Sequence, residues 1–485
     1  MPLSSKSRPE AEPGLPIKLD PISNGEFVPT ERPELRWVAE QARSILGENA
    51  RRAGVSRREL VGSACGAAAM LALMNQLGCG GGRYRIPPGA GVDPDAARTA
   101  VAGEEFIFDV QTHHVNPARE WHRVNRAFDF LQYSWAGCGR PEWIECYGSD
   151  TFVKEIFLDS DTDLAVLSAL AGDEKINPLL IEEAAATRAA VEKLGRGERL
   201  LLHGIVTPNL GVARQLDWMG VLAETWKVSA FKLYTVWGPR GTGWWLDDPK
   251  LGIPVIERAR SLGIKRIAIH KGIPLPGMDP TYTRPRDVGV VARMFPDVTF
   301  LIYHSGYEHA LKEGPYDPAH AEAGVNALVK SLADNGIAPN TNVAAELGAT
   351  WQALMTKPDQ AAHVLGKLLT HVGEDRVLWG TDCIWFGSPQ DQIQAFRAFE
   401  ISAEYQEKFG YPALTPARKA KILGTNGAAL YQVDWKRLRA QRRSDALGRA
   451  KQAYLDHPAP SFAGYGPRTR REVFDLLRRS RGLPG

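Results

Sequence analysis

From Glu104 onward the chain alternates between two hydrophobic rhythms. Short, nearly continuous apolar runs occur at Phe106–His113, Asp163–Leu170, Leu200–Val206, Ser229–Val236, Lys265–His270, Thr299–His304, Asn342–Leu347 and Val377–Asp382. Between them lie segments with a helical repeat, among them Ile181–Leu194, Pro254–Leu262, Ala319–Ala333 and Asp359–Val372. Strands apolar on both faces and separated by helices predict a parallel sheet with helices covering its outer face. Eight such units predict an α/β fold, a (β/α)8 TIM barrel over residues 104–434. Its chemistry would sit at the C-terminal ends of the strands.

The two flanks read differently. Residues 1–103 carry recurrent Pro and Gly (Pro13, Pro16, Pro21, Pro29, Pro33, Gly80-Gly81-Gly82, Pro87-Pro88) and are expected to form an N-terminal extension without a compact core. Inside it, Ser56-Arg57-Arg58-Glu59-Leu60 precedes an uncharged stretch that runs to Gly82. Its apolar heart, LVGSACGAAAMLAL, is too short to span a bilayer but suits a signal segment. Paired arginines before such a run resemble a twin-arginine export signal over residues 56–79, which would send the protein to the periplasm. The alternative is a small-residue helix packed on the main domain of a cytoplasmic protein. From Trp435 to Gly485 there are 13 Lys and Arg against 4 Asp and Glu, a basic helical C-terminal tail. Its charges, including Lys436-Arg437 and Arg478-Arg479, read as solvated helix faces.

Composition narrows the function classes. With 485 residues, 44% hydrophobic and 24% charged, the chain is neither disordered nor collagen-like. A net charge of +3 gives no protein-wide footprint for nucleic acid. Five cysteines without a CxxC pair exclude a disulfide scaffold and a thiolate zinc site.

The candidate chemistry lies at the strand ends: Gln111 and His113 on the first strand, His270 on the fifth, His304 on the sixth and Asp382 on the eighth. A period of two puts Gln111 and His113 on one face and turns His114 away. Imidazoles and a carboxylate converging from several strands offer the nitrogen and oxygen donors that a borderline divalent metal prefers. Lys232 points inward if Phe231 and Leu233 face the helices. It could anchor a substrate carboxylate, form a salt bridge, or be carboxylated to bridge two metals. Glu346 could reach substrate or pair with Lys232. His203 reads as structural, and His309, His320, His363 and His371 as surface groups. Tryptophans crowd the loops (Trp121, Trp135, Trp143, Trp237, Trp244, Trp245, Trp385), either lining a pocket for an aromatic substrate or pinning loops to the barrel.

DVQTHHVNP, IAIHKGIP, LIYHSG, WGTD and KILGTNGAALY, in that order, resemble the amidohydrolase superfamily, in the branch that includes aminocarboxymuconate-semialdehyde decarboxylase. The resemblance spans roughly Glu104 to Asp434. It implies one divalent metal, Zn or alternatively Mn, held by Gln111, His113, His270 and Asp382, with His304 as acid/base. Asp382 would also orient a water, and Lys232 and Glu346 would meet the substrate. The implied activity is metal-dependent hydrolysis by a metal-activated water; the alternative is nonoxidative decarboxylation of an unsaturated or aromatic carboxylate. The implied partner is a small molecule, aromatic or carboxylated, with no nucleic acid and no transmembrane span; a homo-oligomer is compatible with it. This chain departs from the pattern at Gln111, where His or Glu is usual. A neutral amide is a poorer ligand, so a noncatalytic barrel with a decayed metal site is the second alternative.

Overall fold

The computed structural model describes residues 14–19, 32–124, 140, 142–172, 177–195, 198–275 and 278–459. Trp135 and the tail beyond 459, with Arg478-Arg479, lie outside the described residues. The eight apolar runs form eight parallel strands paired in chain order: β1 (Phe108–Thr112), β2 (Leu164–Leu167), β3 (Leu200–Ile205), β4 (Ala230–Tyr234), β5 (Arg266–His270), β6 (Thr299–Tyr303), β7 (Val343–Glu346) and β8 (Val377–Leu378). The chain leaving β8 runs beside β1 and closes the barrel. Val110 donates its N–H to the Trp379 carbonyl, Asp382 to Gln111, and Ile384 to His113.

Alternation along the strands sorts side chains into two cores. Phe231, Leu233, Ile267, Ile269, Phe300 and Ile302 pack outward under the helices. Val110, Val166, Ala268, Leu301, Tyr303, Ala344 and Leu378 fill the interior. Helices form at Ile181–Leu194, Gly252–Ser261 and Pro358–His371. The helix predicted from Ala319 begins at Gly324, because a short turn at Pro318–His320 comes first and Gly324 takes a left-handed φ of 65°.

The N-terminal segment does pack, contrary to the expectation from its Pro and Gly content. Pro33 and Pro94 open helices (Pro33–Ala53 and Pro94–Val101) rather than interrupting them, since proline's missing N–H costs nothing in a first turn. In the first helix Leu35, Val38, Ala39, Ala42 and Leu46 form one buried stripe. Ser56 and Glu59 make a reciprocal capping box over Arg57–Val61. The apolar run then forms the helix Ala64–Met74, buried from Cys65 through Leu71. Gly66 allows this: a Cβ there would lie 2.3 Å from the Leu60 carbonyl oxygen. The segment expected as an export signal is thus folded into the body of the protein as a packed helix. No helix among the described residues is long and apolar enough to cross a membrane. Downstream, Gly82–Tyr84 pairs antiparallel with Phe399–Ile401, and Asp359 accepts the N–H groups of Cys79, Gly81 and Gly82.

Leu71 is fully buried in this helix. Leu71→Ala should cost about 2–5 kcal/mol, the usual loss for an emptied core site, read as a lower urea midpoint. An unchanged midpoint would mean the segment is only loosely attached.

Candidate active site

Gln111 and His113 leave the end of β1, His270 ends β5, and His304 and Asp382 follow β6 and β8. Strict alternation would put neighbours Val110 and Gln111 on opposite faces. The β1–β2 ladder shifts register between Asp109 and Thr112, and there Gln111 turns toward the mouth above the interior residue Val110. His113 shares its face, whereas His114 points outward, its Nε2 2.9 Å from the Thr187 hydroxyl on a covering helix.

The five side chains form one constellation. Asp382 Oδ1 lies 3.1 Å from His113 Nε2 and accepts a hydrogen bond from Gln111 Nε2 at 2.9 Å. His304 Nε2 lies 3.1 Å from His270 Nδ1 and 3.5 Å from Gln111 Nε2. The three imidazoles are between 1% and 4% exposed.

Backbone carbonyls fix every tautomer. A carbonyl only accepts, so each ring nitrogen facing one must carry the hydrogen. His113 Nδ1 faces the Ser168 carbonyl at 2.7 Å, His270 Nε2 faces Ile273 at 2.9 Å, and His304 Nδ1 faces Gly348 at 2.7 Å. The bare lone pairs are therefore His113 Nε2, His270 Nδ1 and His304 Nε2. Two of them face each other, and the third faces a carboxylate oxygen. Such acceptor–acceptor contacts call for a cation, and outer carbonyls that orient the rings are the usual support of metal-binding histidines.

His113, His270, His304 and Asp382 thus have the donor chemistry that a divalent ion needs. They stand as two pairs, however, and no three His, Cys, Asp or Glu side chains among the described residues form a ready-made metal cluster. Gln111 does not fit as expected, because it turns its N–H, not its oxygen, toward Asp382 and His304.

Backbone strain concentrates here. His304, Ser305 and Asp382 have φ of 66°, 54° and 60°, unusual for residues with a side chain. Hydrogen bonds hold them in place. Glu346 accepts the His304 N–H at 3.1 Å, and Thr350 donates its hydroxyl to the His304 carbonyl at 3.0 Å. Buried Asp109 accepts the Thr381 N–H at 3.1 Å and its hydroxyl, setting the turn that carries Asp382. Burial pushes the Asp109 carboxyl up to about 7. Burial, and after it the neighbouring His270, holds His304 well below the usual imidazole range; burial also takes His270 down to about 3.

A family model described as amidohydrolase matches residues 155–433. The chain belongs to the amidohydrolase family. That is a family of enzymes, and the match takes in His270, His304 and Asp382 while beginning after Gln111 and His113. No curated protein matches the chain. Similar solved structures include an uncharacterised TIM-barrel protein from Bordetella bronchiseptica, at 16% identity over 69% of this chain and 99% of that one, TM-score 0.43. A 2,6-dihydroxybenzoate decarboxylase from Rhizobium is 15% identical over 68% and 99%, TM-score 0.39. A manganese-bound 5-carboxyvanillate decarboxylase from Novosphingobium aromaticivorans is 12% identical over 68% and 96%, TM-score 0.41.

In this amidohydrolase-family barrel the other expected residues fall into place unevenly. Lys232 does point inward, fully buried, with Nζ 3.3 Å from the centre of the Tyr303 ring and no hydrogen-bond partner among the described residues. Glu346 is fully buried too, but it binds the backbone N–H groups of His304 and Gly348 rather than pairing with Lys232. His203 is structural, between the hydroxyls of Tyr431 (2.8 Å) and Tyr303 (3.2 Å). His363, expected at the surface, is buried between Tyr405, Phe409 and Tyr411. Trp385 stacks on His113 with ring centres 5.4 Å apart, and Tyr147 and Trp143 continue that wall. Tyr234 stacks on His270 at 5.1 Å.

Acid should weaken the fold through His114. Burial takes this imidazole down to about 4. The unfolded chain takes up its proton near pH 6.5 and the folded chain only near 4, so the contribution is complete above 6.5 and is lost as pH falls between them. It amounts to roughly 3 kcal/mol. Urea unfolding at pH 7 and 4.5 checks this, with His114→Gln flattening the difference.

Proposed function

We propose that the protein is a metal-dependent enzyme that decarboxylates a small aromatic or unsaturated carboxylate without an oxidant. The observation that carries this reading is the pairing of bare lone pairs at one strand-end rim, His113 Nε2 against Asp382 and His304 Nε2 against His270 Nδ1, beside a wall of aromatic rings. His113, His270 and Asp382 would hold the ion, zinc or manganese, both of which accept nitrogen and oxygen donors. When bound, the ion supplies Lewis-acid charge to the carboxylate or carbonyl oxygens of the substrate.

The chain's own residues do the rest. Trp385 and Tyr234 supply flat faces beside the imidazoles, suited to a planar substrate. His304 carries the proton. Its Nε2 is bare and turned inward, so it takes up the proton that the substrate's carboxylic acid group gives up, and its buried ring resists keeping that second hydrogen, so the proton leaves readily. In decarboxylation the bond between ring carbon and carboxylate carbon breaks, CO2 departs, and the electron pair left on the ring carbon takes that proton. Lys232, a buried amine over the Tyr303 ring with no hydrogen-bond partner among the described residues, adds a cation when a substrate anion enters beside it.

Hydrolysis of an amide, ester or lactone is the second reading. What favours it is Asp382, whose side chain is 15% exposed and so is the most open member of the set, able to orient a water. The burial of the three imidazoles favours decarboxylation, which needs no water at the reacting carbon. Incubation of the metal-loaded protein with aromatic carboxylates and with matched esters and lactones tests this. CO2 release from the carboxylates is expected; acid release from the esters alone would transfer the reading to hydrolysis.

A further inference from the structure

We propose that Gln111 is not a metal ligand but an internal substitute for the cation, a donor that occupies the metal-free site and must move before the ion binds. The proposal rests on the metal-dependent reading above. Its ground is the direction of the amide. Gln111 Nε2 lies 2.9 Å from Asp382 Oδ1 and 3.5 Å from the bare Nε2 of His304, so its two N–H groups face a carboxylate and an imidazole lone pair. Turned the other way, the amide would set its oxygen against the same carboxylate and the same lone pair, which is repulsive without a cation between them. The metal-free site therefore selects the N–H orientation.

The other end of the amide shows the cost. Gln111 Oε1 is buried and has no hydrogen-bond partner among the described residues. It fits because residue 348 is glycine: a Cβ at Gly348 would lie 2.2 Å from that oxygen. A buried acceptor left unmatched is unfavourable, so the orientation is held from the N–H end alone, chiefly by Asp382. A His or Glu at this position would instead present a lone pair to the ion. Gln111 thus lowers metal affinity by stabilising the metal-free state, the reverse of a ligand's effect.

The test is calorimetric titration of metal-stripped, full-length protein with Mn²⁺ and with Zn²⁺, alongside thermal melting of the stripped protein. Gln111→Ala should bind either ion about ten- to a hundredfold more tightly, the equivalent of one hydrogen bond to a charged group. The same variant, stripped, should melt below the wild type, because Asp382 has lost its donor. Gln111→Leu, which keeps the volume but has no N–H, should behave the same way and covers the case in which the alanine variant packs poorly. Weaker binding by both variants would make Gln111 a ligand and overturn the proposal while leaving the metal reading intact. Absence of binding in the wild type and both variants would remove the metal reading, and this proposal with it.

Discussion

His304→Ala is expected to keep its metal and lose about 10²–10⁴-fold in turnover, the usual contribution of a positioned general acid or base. The retention follows from geometry. His113 and Asp382 approach each other without a hydrogen bond to His304, and His270 is oriented by the Ile273 carbonyl. The loss follows because His304, alone of the three imidazoles, is carried by left-handed backbone, with φ of 66°. Glu346, Thr350 and the Gly348 carbonyl keep its Nε2 turned inward against that strain. Such strain is kept where a side chain must be aimed. Turnover by CO2 release and metal content by elemental analysis, measured on one preparation, check both halves. Loss of the metal would make His304 a ligand.

His113→Ala and Asp382→Ala are expected to strip the metal. Removing an outer partner of a metal site costs roughly 10–100-fold in affinity, and removing a ligand should cost more. His113 has its Nδ1 committed to Ser168, so its only free electron pair is the one beside Asp382. Asp382 brings a carboxylate against the His113 imidazole, and with it charge that offsets a dication. Both variants should titrate without a binding transition at micromolar metal. Full occupancy in either would move the binding centre away from the pair.

The barrel was legible because strands covered on both faces must be apolar throughout, and eight such runs stand out between helices. The site was legible for the same geometric reason: His270, His304 and Asp382 end strands that converge at one rim. Their orientation was not, since the groups that set the tautomers are backbone carbonyls of Ser168, Ile273 and Gly348, which carry no side-chain signature. The Asp109–Thr381 support was half visible, as a carboxylate on β1 and a hydroxyl in WGTD, but nothing in the sequence brings them together. Glu346 accepts the backbone N–H groups of His304 and Gly348, partners that no side-chain pattern announces. Proline breaks a helix in its interior but starts one at the first turn, so the proline content of the N-terminal segment does not prevent its helices. A polar residue in an amphipathic helix ordinarily faces solvent, but three aromatic side chains cover His363.

Elemental analysis of the full-length protein, equilibrated with Mn²⁺ or Zn²⁺ and freed of unbound ion, decides whether this barrel is a metalloprotein. One equivalent of metal per chain is expected in the wild type, falling to background in His113→Ala. A wild-type protein that holds no metal under either condition would contradict it, and the converging imidazoles would then belong to a barrel that no longer carries out metal chemistry.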